Sequence, residues 1–451
     1  MPASKGLKQS LNKIREISSD IYHRYIPIIT DDTSINQFAE PIIQIKEVQN
    51  EFISSLINRI VYTKFEKKYF KNPLQVLEGD QMPMGYAGQE IFVNPAKGRK
   101  FNPDDFAGLL QKYESDVKVQ YMAINMDTQY PVTILRQNLK KAFVSWESLE
   151  EFIDTLANSL YNGAYIDEYK FTKNVVSSAF KGNKAVIEKI SAPNTEDLAK
   201  QFITKARELF LNFQLPSSKY NAWAKMGGYG RPIKTFTEPK DIVFLIKNDL
   251  RAFIDVNVLA TAFNIDKTVL LGNIISVDSF DIEDDDGNII YDGLNIIGLI
   301  ADRKWFRIKR QDMFMDTFYN PNNRTWQYYL NLIKMYNMSL FANGVIFATE
   351  LPSGIAVTDI TLGNTNVTDG ENIIQMNVTP PNTTDKITVS VDSTNSTNVT
   401  ASVVDNNILK VNVNGSVTSP LKLTFKAGSF TKEITMTYTG SQTLSAKTSS
   451  K

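Results

Sequence analysis

The chain predicts an α+β fold, on three observations. From Trp146 to about Lys181 the residues Leu149, Phe152, Ile153, Leu156, Leu160 and Ala164 recur at three- and four-residue spacing, a single apolar stripe on a single long helix. Just before it, Gly79, Pro83, Gly85, Gly88, Pro95, Gly98 and Pro103 forbid helix and mark turns, so residues 64–143 read as an extended β excursion. At Leu351-Pro352-Ser353-Gly354 the composition shifts abruptly to Thr, Asn, Ser and Val in period-two alternation.

A helix of about 36 residues is roughly 54 Å long at 1.5 Å per residue, far above the usual mean of roughly 11–12 residues. Such a rod suits a wide, thin tile better than a compact enzyme. Ser148 with Glu151 has the spacing of a capping box, and Gly182 stands where a helix stop belongs. In the excursion, Val117–Ile124 alternates as a strand should, and Tyr86, Phe92 and Phe101 need a surface to cover them. Lys97-Gly98-Arg99-Lys100 forms a compact cationic knob at its tip. Lys97, Arg99 and Lys100 are therefore candidate contacts to acids on a neighbouring copy, against the alternative of a solvated loop.

The remaining elements follow from the same periodicities. Residues 1–45 read as a polar, weakly patterned arm in which Lys5, Lys8, Lys13, Arg15 and Arg24 outnumber Glu16 and Asp20. It is either a frayed terminus or an arm lying on a neighbour or facing nucleic acid. Val48, Phe52, Leu56, Ile57 and Ile60 make one face of a helix over 46–62. Asn194-Thr195 caps a helix with the stripe Leu198, Phe202, Ala206, Leu209, Phe210 and Phe213. Ile242–Ile246 and Ile274–Val277 are strands, Asp255–Phe263 a helix, Met226–Pro232 a mobile loop, and Ser279–Gly293 a hairpin tip. Residues 325–349 read as aromatic strands with a bulge near Asn337. Beyond Gly354, about seven short strands separated by turns such as Asp369-Gly370, Asn406-Asn407 and Asn414-Gly415 predict an immunoglobulin-like sandwich over 353–440. Residues 441–451 are expected to be disordered.

Composition excludes several function classes. Lysine plus arginine is 49 and aspartate plus glutamate is 49, so no net positive field draws the chain to nucleic acid. Cysteine is absent, which removes disulfides, thiolate nucleophiles and cysteine metal sites. The single histidine, His23, sits in a mixed aromatic and basic stretch and reads as a packing residue. No apolar run approaches the roughly 18 residues of a membrane span, and no membrane partner is expected. Asp281–Gly287 fails the EF-hand register, because Gly287 at position six would put Ile282 at position one. Met226–Gly230 lacks the phosphate-cradling glycine order, and Asp167 and Glu168 are adjacent on a helix and so share no face. No catalytic, cofactor or metal site is expected, and the chain does not read as an enzyme.

Five blocks carry a resemblance: Asn50–Arg59, Leu139–Trp146, Tyr161-Asn162 with Asp167-Glu168-Tyr169, Val258–Asn264 with Leu271-Gly272-Asn273, and Phe341-Ala342-Asn343. In these and in the order of its parts the chain resembles the major capsid proteins of tailed phages with the Hong Kong 97 fold. It is most similar to those of the phi29-like small podoviruses, which also carry a C-terminal bacterial Ig-like domain. The resemblance implies an N-terminal arm (1–45) and a capsid core (46–349). Within the core it implies an extended loop (64–143), a spine helix (145–181), an axial domain (183–302) and peripheral-domain strands (303–349). It implies pentamers and hexamers assembling around a scaffolding protein in the host bacterial cytoplasm. The resulting icosahedral or prolate virion shell would meet a portal and hold double-stranded DNA on its inner face. The Ig-like tail leaves open the alternative of a surface adhesin or tail-fibre component.

Overall fold

The computed structural model describes residues 4–62, 70–83, 88–102, 112–226, 231–253, 273–284 and 286–440. The helix expected over Asp255–Phe263, most of the loop at 226–232 and the tail at 441–451 lie outside the described residues.

Four helices come first: α1 (Lys5–Glu16), α2 (Asp20–Tyr25), α3 (Ile35–Gln44) and α4 (Lys46–Tyr62). After a 3₁₀ turn at Pro73–Leu77 come β1 (Gly88–Val93), β2 (Val117–Met122), β3 (Met126–Leu135), α5 (Arg136–Ala142) and the long α6 (Trp146–Lys181). Next are β4 (Val186–Lys189), α7 (Glu196–Phe213), β5 (Ile242–Lys247), α8 (Asn248–Phe253), β6 (Ile274–Val277), β7 (Ile282–Glu283) and β8 (Ile289–Tyr291). β9 (Ile296–Asp302), β10 (Phe306–Asn320), β11 (Thr325–Met338) and β12 (Gly344–Ala348) follow. The C-terminal strands are β13 (Asp359–Leu362), β14 (Asn366–Val367), β15 (Gly370–Thr379), β16 (Thr388–Val391), β17 (Val399–Val404), β18 (Ile408–Val413), β19 (Leu421–Ala427) and β20 (Phe430–Tyr438). Packing divides the chain into two units: Met1–Gly88 with Tyr121–Thr172 and Arg307–Asn337, and Gln89–Gln120 with Lys173–Phe306 and Met338–Lys451.

In the first unit, residues expected to be an unpatterned polar arm are instead packed helix. Leu7, Leu11 and Ile14 form a stripe that lysines had diluted, and they join Tyr22, Phe38, Phe52, Leu139, Phe143, Trp146 and Leu149 in one core. Phe38 meets Phe52 edge-on at 5.5 Å and Trp146 at 5.6 Å. Serines start the first three helices: Ser4, Ser19 and Ser34 accept from the backbone amides of Leu7, Tyr22 and Gln37, and Gln37 closes a capping box. A three-stranded sheet, ordered β10-β11-β3, lies in the same unit. β3 and β11 run antiparallel in unbroken register from Thr325 opposite Leu135 to Lys334 opposite Met126.

Helix α6 has the expected length, 36 residues, but a different residue caps each end. Ser145, not Ser148, is the cap, since its hydroxyl accepts from the Ser148 amide at 3.1 Å. At the other end Asn183, not Gly182, takes the left-handed conformation (φ 46°). The amide of Asn183 donates to Phe180 O at 2.8 Å and that of Lys184 to Ala179 O at 2.8 Å. These two bonds form a Schellman motif, in which Asn substitutes for the usual glycine.

The second unit contains a mixed five-stranded sheet, ordered β4-β12-β9-β5-β6. β5 is buried over its first five residues, and β9 and β12 are buried along their full length. Strands buried on both faces must sit inside a covered sheet, and α7 covers one face with Phe202, Phe210 and Phe213 against Phe244 and Phe347. This corrects the expected grouping of 303–349. β10 and β11 belong to the first unit, but β12 is uniformly apolar and occupies the five-stranded sheet between β4 and β9. β11 continues through Asn337 to Met338, and a register shift between β12 and β9 falls at Phe347/Ala348. Gly344 opens β12 against Trp305, where a Cβ would lie 2.4 Å from the indole Cδ1.

The C-terminal strands form two four-stranded sheets, β13-β15-β18-β17 and β14-β20-β19-β16. Their inward residues, among them Ile360, Ile374, Leu409, Val411, Leu423 and Phe425, share one core. The β17–β18 turn places Asp405 and Asn406 at positive φ, one residue earlier than the expected Asn406-Asn407 pair.

Candidate assembly surfaces

The excursion has a fixed root and an exposed end. At the root, in the first unit, Lys334 on β11 is 1% exposed. Its ammonium lies 2.6 Å from Glu168 Oε1 on α6 and 3.0 Å from Glu78 Oε1 just after the 3₁₀ turn. The backbone beyond Glu78 is stitched to β10: Gly79 N donates to Ile308 O at 2.9 Å and Met82 N to Arg310 O at 2.8 Å. Burial pushes the Glu168 carboxyl above its ordinary range, and the Lys334 charge works against that shift. Asp167 turns elsewhere and accepts from Tyr130 Oη on β3 at 2.8 Å. The two adjacent acids thus serve two different partners, as their positions on the helix require. Lys334 was missed in the sequence, although a lysine inside the aromatic run 325–349 is the signal that could have found it.

At the exposed end, in the second unit, β1 and β2 pair as a two-stranded ribbon. Asn94 and Asp116 brace its mouth. The Asn94 amide donates to Asp116 O at 3.0 Å, and its side chain to Asp116 Oδ2 at 2.8 Å. Lys118 lies 2.8 Å from Asp116 Oδ1, and together with Asn94 it holds that carboxyl below the usual range. Alternation along β1 sends Phe92 onto Phe341, ring centroids 5.7 Å apart, and leaves Ile91 and Val93 more than half exposed. Val117 and Tyr113 are also exposed, and Phe101 is 85% exposed. One face of the ribbon is thus anchored within its own unit, with Gln120 Nε2 also donating to Met338 O at 2.8 Å, while the Ile91 and Val93 side chains stay uncovered.

Lys97, Arg99 and Lys100 all stand exposed beyond the brace. Arg99 is engaged within its own loop, donating to Tyr113 Oη at 2.6 Å with its guanidinium 5.3 Å from that ring. The expected knob is therefore two outward lysines beside an arginine that shapes the tip.

The other sequence candidates resolve into local structure. His23 contacts the Arg15 carbonyl beside α2. Asp284 accepts from the Asp286 and Asn288 amides at 3.1 and 2.7 Å, so it is an acceptor for its own hairpin turn. Among the described residues no cluster of acids and histidine has metal-site geometry, and no helix is long and apolar enough to cross a membrane.

A third feature lies inside the second unit, where the C-terminal strands meet the end of α6. Asn183 Nδ2 donates to the carbonyls of Asn382 and Thr383 at 3.0 and 3.1 Å, and Asn382 Nδ2 donates to Gly182 O at 2.6 Å.

The family model described as Phi29-like phage major capsid protein matches residues 11–348. The chain belongs to the phi29-like phage major capsid protein family. It is 31% identical over 353 residues to the major capsid protein of Bacillus phage B103, covering 77% of this chain and 74% of that one. It is 27% identical over 346 residues to the major capsid protein of Streptococcus phage Cp-1, covering 74% and 92%. Among solved structures, the capsid of Staphylococcus phage Andhra superposes with a TM-score of 0.51 at 14% identity, covering 64% of this chain and 88% of that one. That likeness carries the fold alone. The chain is accordingly a structural protein of the phage head that oligomerises into a shell and resides in the virion. The matched span includes the buried Lys334 root and the ribbon, and stops at β12, before the C-terminal sheets.

Proposed function

We propose that this capsid protein builds its shell with the Hong Kong 97 arrangement, α6 acting as the spine and residues 64–143 as a loop laid over the adjacent subunit. The observation that carries this reading is the pairing of a rigid root with an uncovered apolar ribbon. Lys334, Glu168 and Glu78 fix where the loop leaves the body, while Ile91, Val93 and Val117 stay exposed. Each is already about half buried, so covering the rest with a neighbour contributes about 1 kcal/mol, and repetition around a closed shell multiplies it. Residues 183–302 with β12 form the axial domain, and 303–338 the peripheral strands. Lys97 and Lys100 reach acids on the neighbour.

The rest of the assembly follows from the same reading. Pentamers and hexamers close around a scaffolding protein in the host cytoplasm, a portal occupies one vertex, and double-stranded DNA fills the icosahedral or prolate interior. The subunit does no chemistry of its own. Residues 353–440 are an Ig-like domain carried on the shell, supported by two four-stranded sheets around one core. For residues 11–348 the shell role displaces the adhesin alternative. Co-expression with the cognate scaffolding protein, followed by negative-stain microscopy and sedimentation, tests the proposal. Closed particles are expected, and soluble monomers under all such conditions would overturn it.

A further inference from the structure

The sequence holds three Asn-Gly pairs, Asn162-Gly163, Asn343-Gly344 and Asn414-Gly415. In such a pair no Cβ on the second residue hinders its amide from reaching the asparagine side-chain carbonyl. The attack is intramolecular and closes a succinimide ring, so it needs only freedom to orient. The fold withholds that freedom from two of the pairs. Gly163 sits inside α6, and Asn162 Oδ1 accepts from the Phe70 amide at 3.0 Å. Asn343 is fully buried, its side chain donates to Thr237 Oγ1 at 3.1 Å, and the Gly344 amide donates to Tyr220 O at 2.9 Å. The third pair is different. Asn414 and Gly415 follow the last residue of β18, outside any regular element, and both are exposed. Among the described residues neither the Asn414 side chain nor the Gly415 amide has a hydrogen-bond partner. Packing demands the glycine: a Cβ at 415 would lie 2.9 Å from Asn398 Cγ, while Asn398 Nδ2 donates to Ser416 O at 2.8 Å.

We propose that Asn414 is a site of spontaneous deamidation, the Asn-Gly pair that the fold leaves free to react. The inference stands apart from the shell reading, since it uses a single turn of one subunit. The Gly415 amide nitrogen, its proton given up to hydroxide, attacks Asn414 Cγ. A new C–N bond forms, the bond to Nδ2 breaks, and ammonia leaves with a proton from water, which regenerates the hydroxide. One solvent water then opens the succinimide at either carbonyl, giving aspartate or isoaspartate. Either product adds a negative charge to a chain whose formal charge is zero. Isoaspartate also routes the backbone through the side chain, inserting an extra backbone atom between Val413 and Gly415. That displaces the bond from Asn414 N to Asn398 O, 2.8 Å long, which closes the end of the β17–β18 pair where Val399 stands opposite Val413.

Incubation of the full-length protein in mildly alkaline buffer decides it, with tryptic peptides read by mass spectrometry. Trypsin places the three pairs in separate peptides, 142–170, 335–386 and 411–422. The expected result is amide-to-acid conversion in 411–422 at least about tenfold faster than in the other two. An isoaspartate-specific methyltransferase should label the same peptide. In urea, where the fold no longer protects any pair, the three rates should draw together. Asn414→Gln, whose longer side chain would have to close a larger ring, should abolish conversion in 411–422 with unchanged circular dichroism. Native conversion at 414 as slow as at 162 and 343 would overturn the proposal. So would conversion of 411–422 that persists in Asn414→Gln, since Asn412 would then be the reacting residue.

Discussion

Asn183 and Asn382 clasp each other: Asn183 Nδ2 donates to Asn382 O at 3.0 Å, and Asn382 Nδ2 returns a bond of 2.6 Å to the carbonyl of Gly182 beside it. The residue that terminates α6 is thus also the residue that holds the C-terminal sheets to it. Asn183→Gly keeps the left-handed conformation while deleting the side-chain bonds. It is expected to cost about 1–3 kcal/mol for two lost hydrogen bonds and to speed limited proteolysis in 349–358. Wild-type cleavage rates in that variant would show that the clasp does not restrain the sheets.

Lys334 makes a second test. Lys334→Met removes the cation from between Glu168 and Glu78 and should destabilise the fold by about 3–5 kcal/mol, measured by urea unfolding. Adding Glu168→Gln should recover the larger part. The pH dependence has a definite sign. A carboxyl whose folded pKa is raised, as burial raises that of Glu168, gives stability that is full below its unfolded pKa and lost as pH rises through the folded one. Without Lys334 the shift grows, so the deficit of Lys334→Met should be largest at neutral pH and shrink on acidification. A pH-independent deficit would mean that packing, not charge, accounts for it.

The ribbon and its tip should matter to assembly and not to folding. Ile91→Ser with Val93→Ser alters exposed side chains, so the monomer's stability should change by about 0.5 kcal/mol or less, while particle yield collapses. Lys97→Glu with Lys100→Glu should lower yield more at low salt than at high salt, because screening over roughly 8–10 Å weakens the repulsion it introduces. Electron microscopy and thermal melts on the same samples separate the two effects.

Gly163 interrupts α6 opposite Tyr130, and a Cβ there would meet the ring at 3.4 Å, an ordinary contact. Gly163→Ala should therefore stabilise the protein by about 0.5–1 kcal/mol through helix propensity. A loss of stability would show that the Tyr130–Asp167 hydrogen bond cannot tolerate the methyl group.

The legible parts of this chain were those with a long, undiluted period. The α6 stripe, the α7 stripe with its Thr195 cap and the alternation of β18 and β19 all stand where their spacing predicts. The N-terminal helices were obscured because α1 is a short amphipathic helix carrying lysines between Leu7, Leu11 and Ile14, although its serine cap was a readable signal. β12 was misassigned because strand pairing is nonlocal: an apolar run such as Val345–Ala348 does not name its neighbours. The root was hidden for the same reason, since Glu78, Glu168 and Lys334 are brought together only by the fold.

The central claim is that the ribbon at 88–122 is completed by another subunit. Cryo-electron microscopy of assembled particles tests it most directly. The account predicts density for Ile91, Val93 and Val117 packed against the adjacent subunit, with the Lys334–Glu168–Glu78 root unchanged. A ribbon folded back over its own subunit, or left facing solvent in the closed shell, would contradict it.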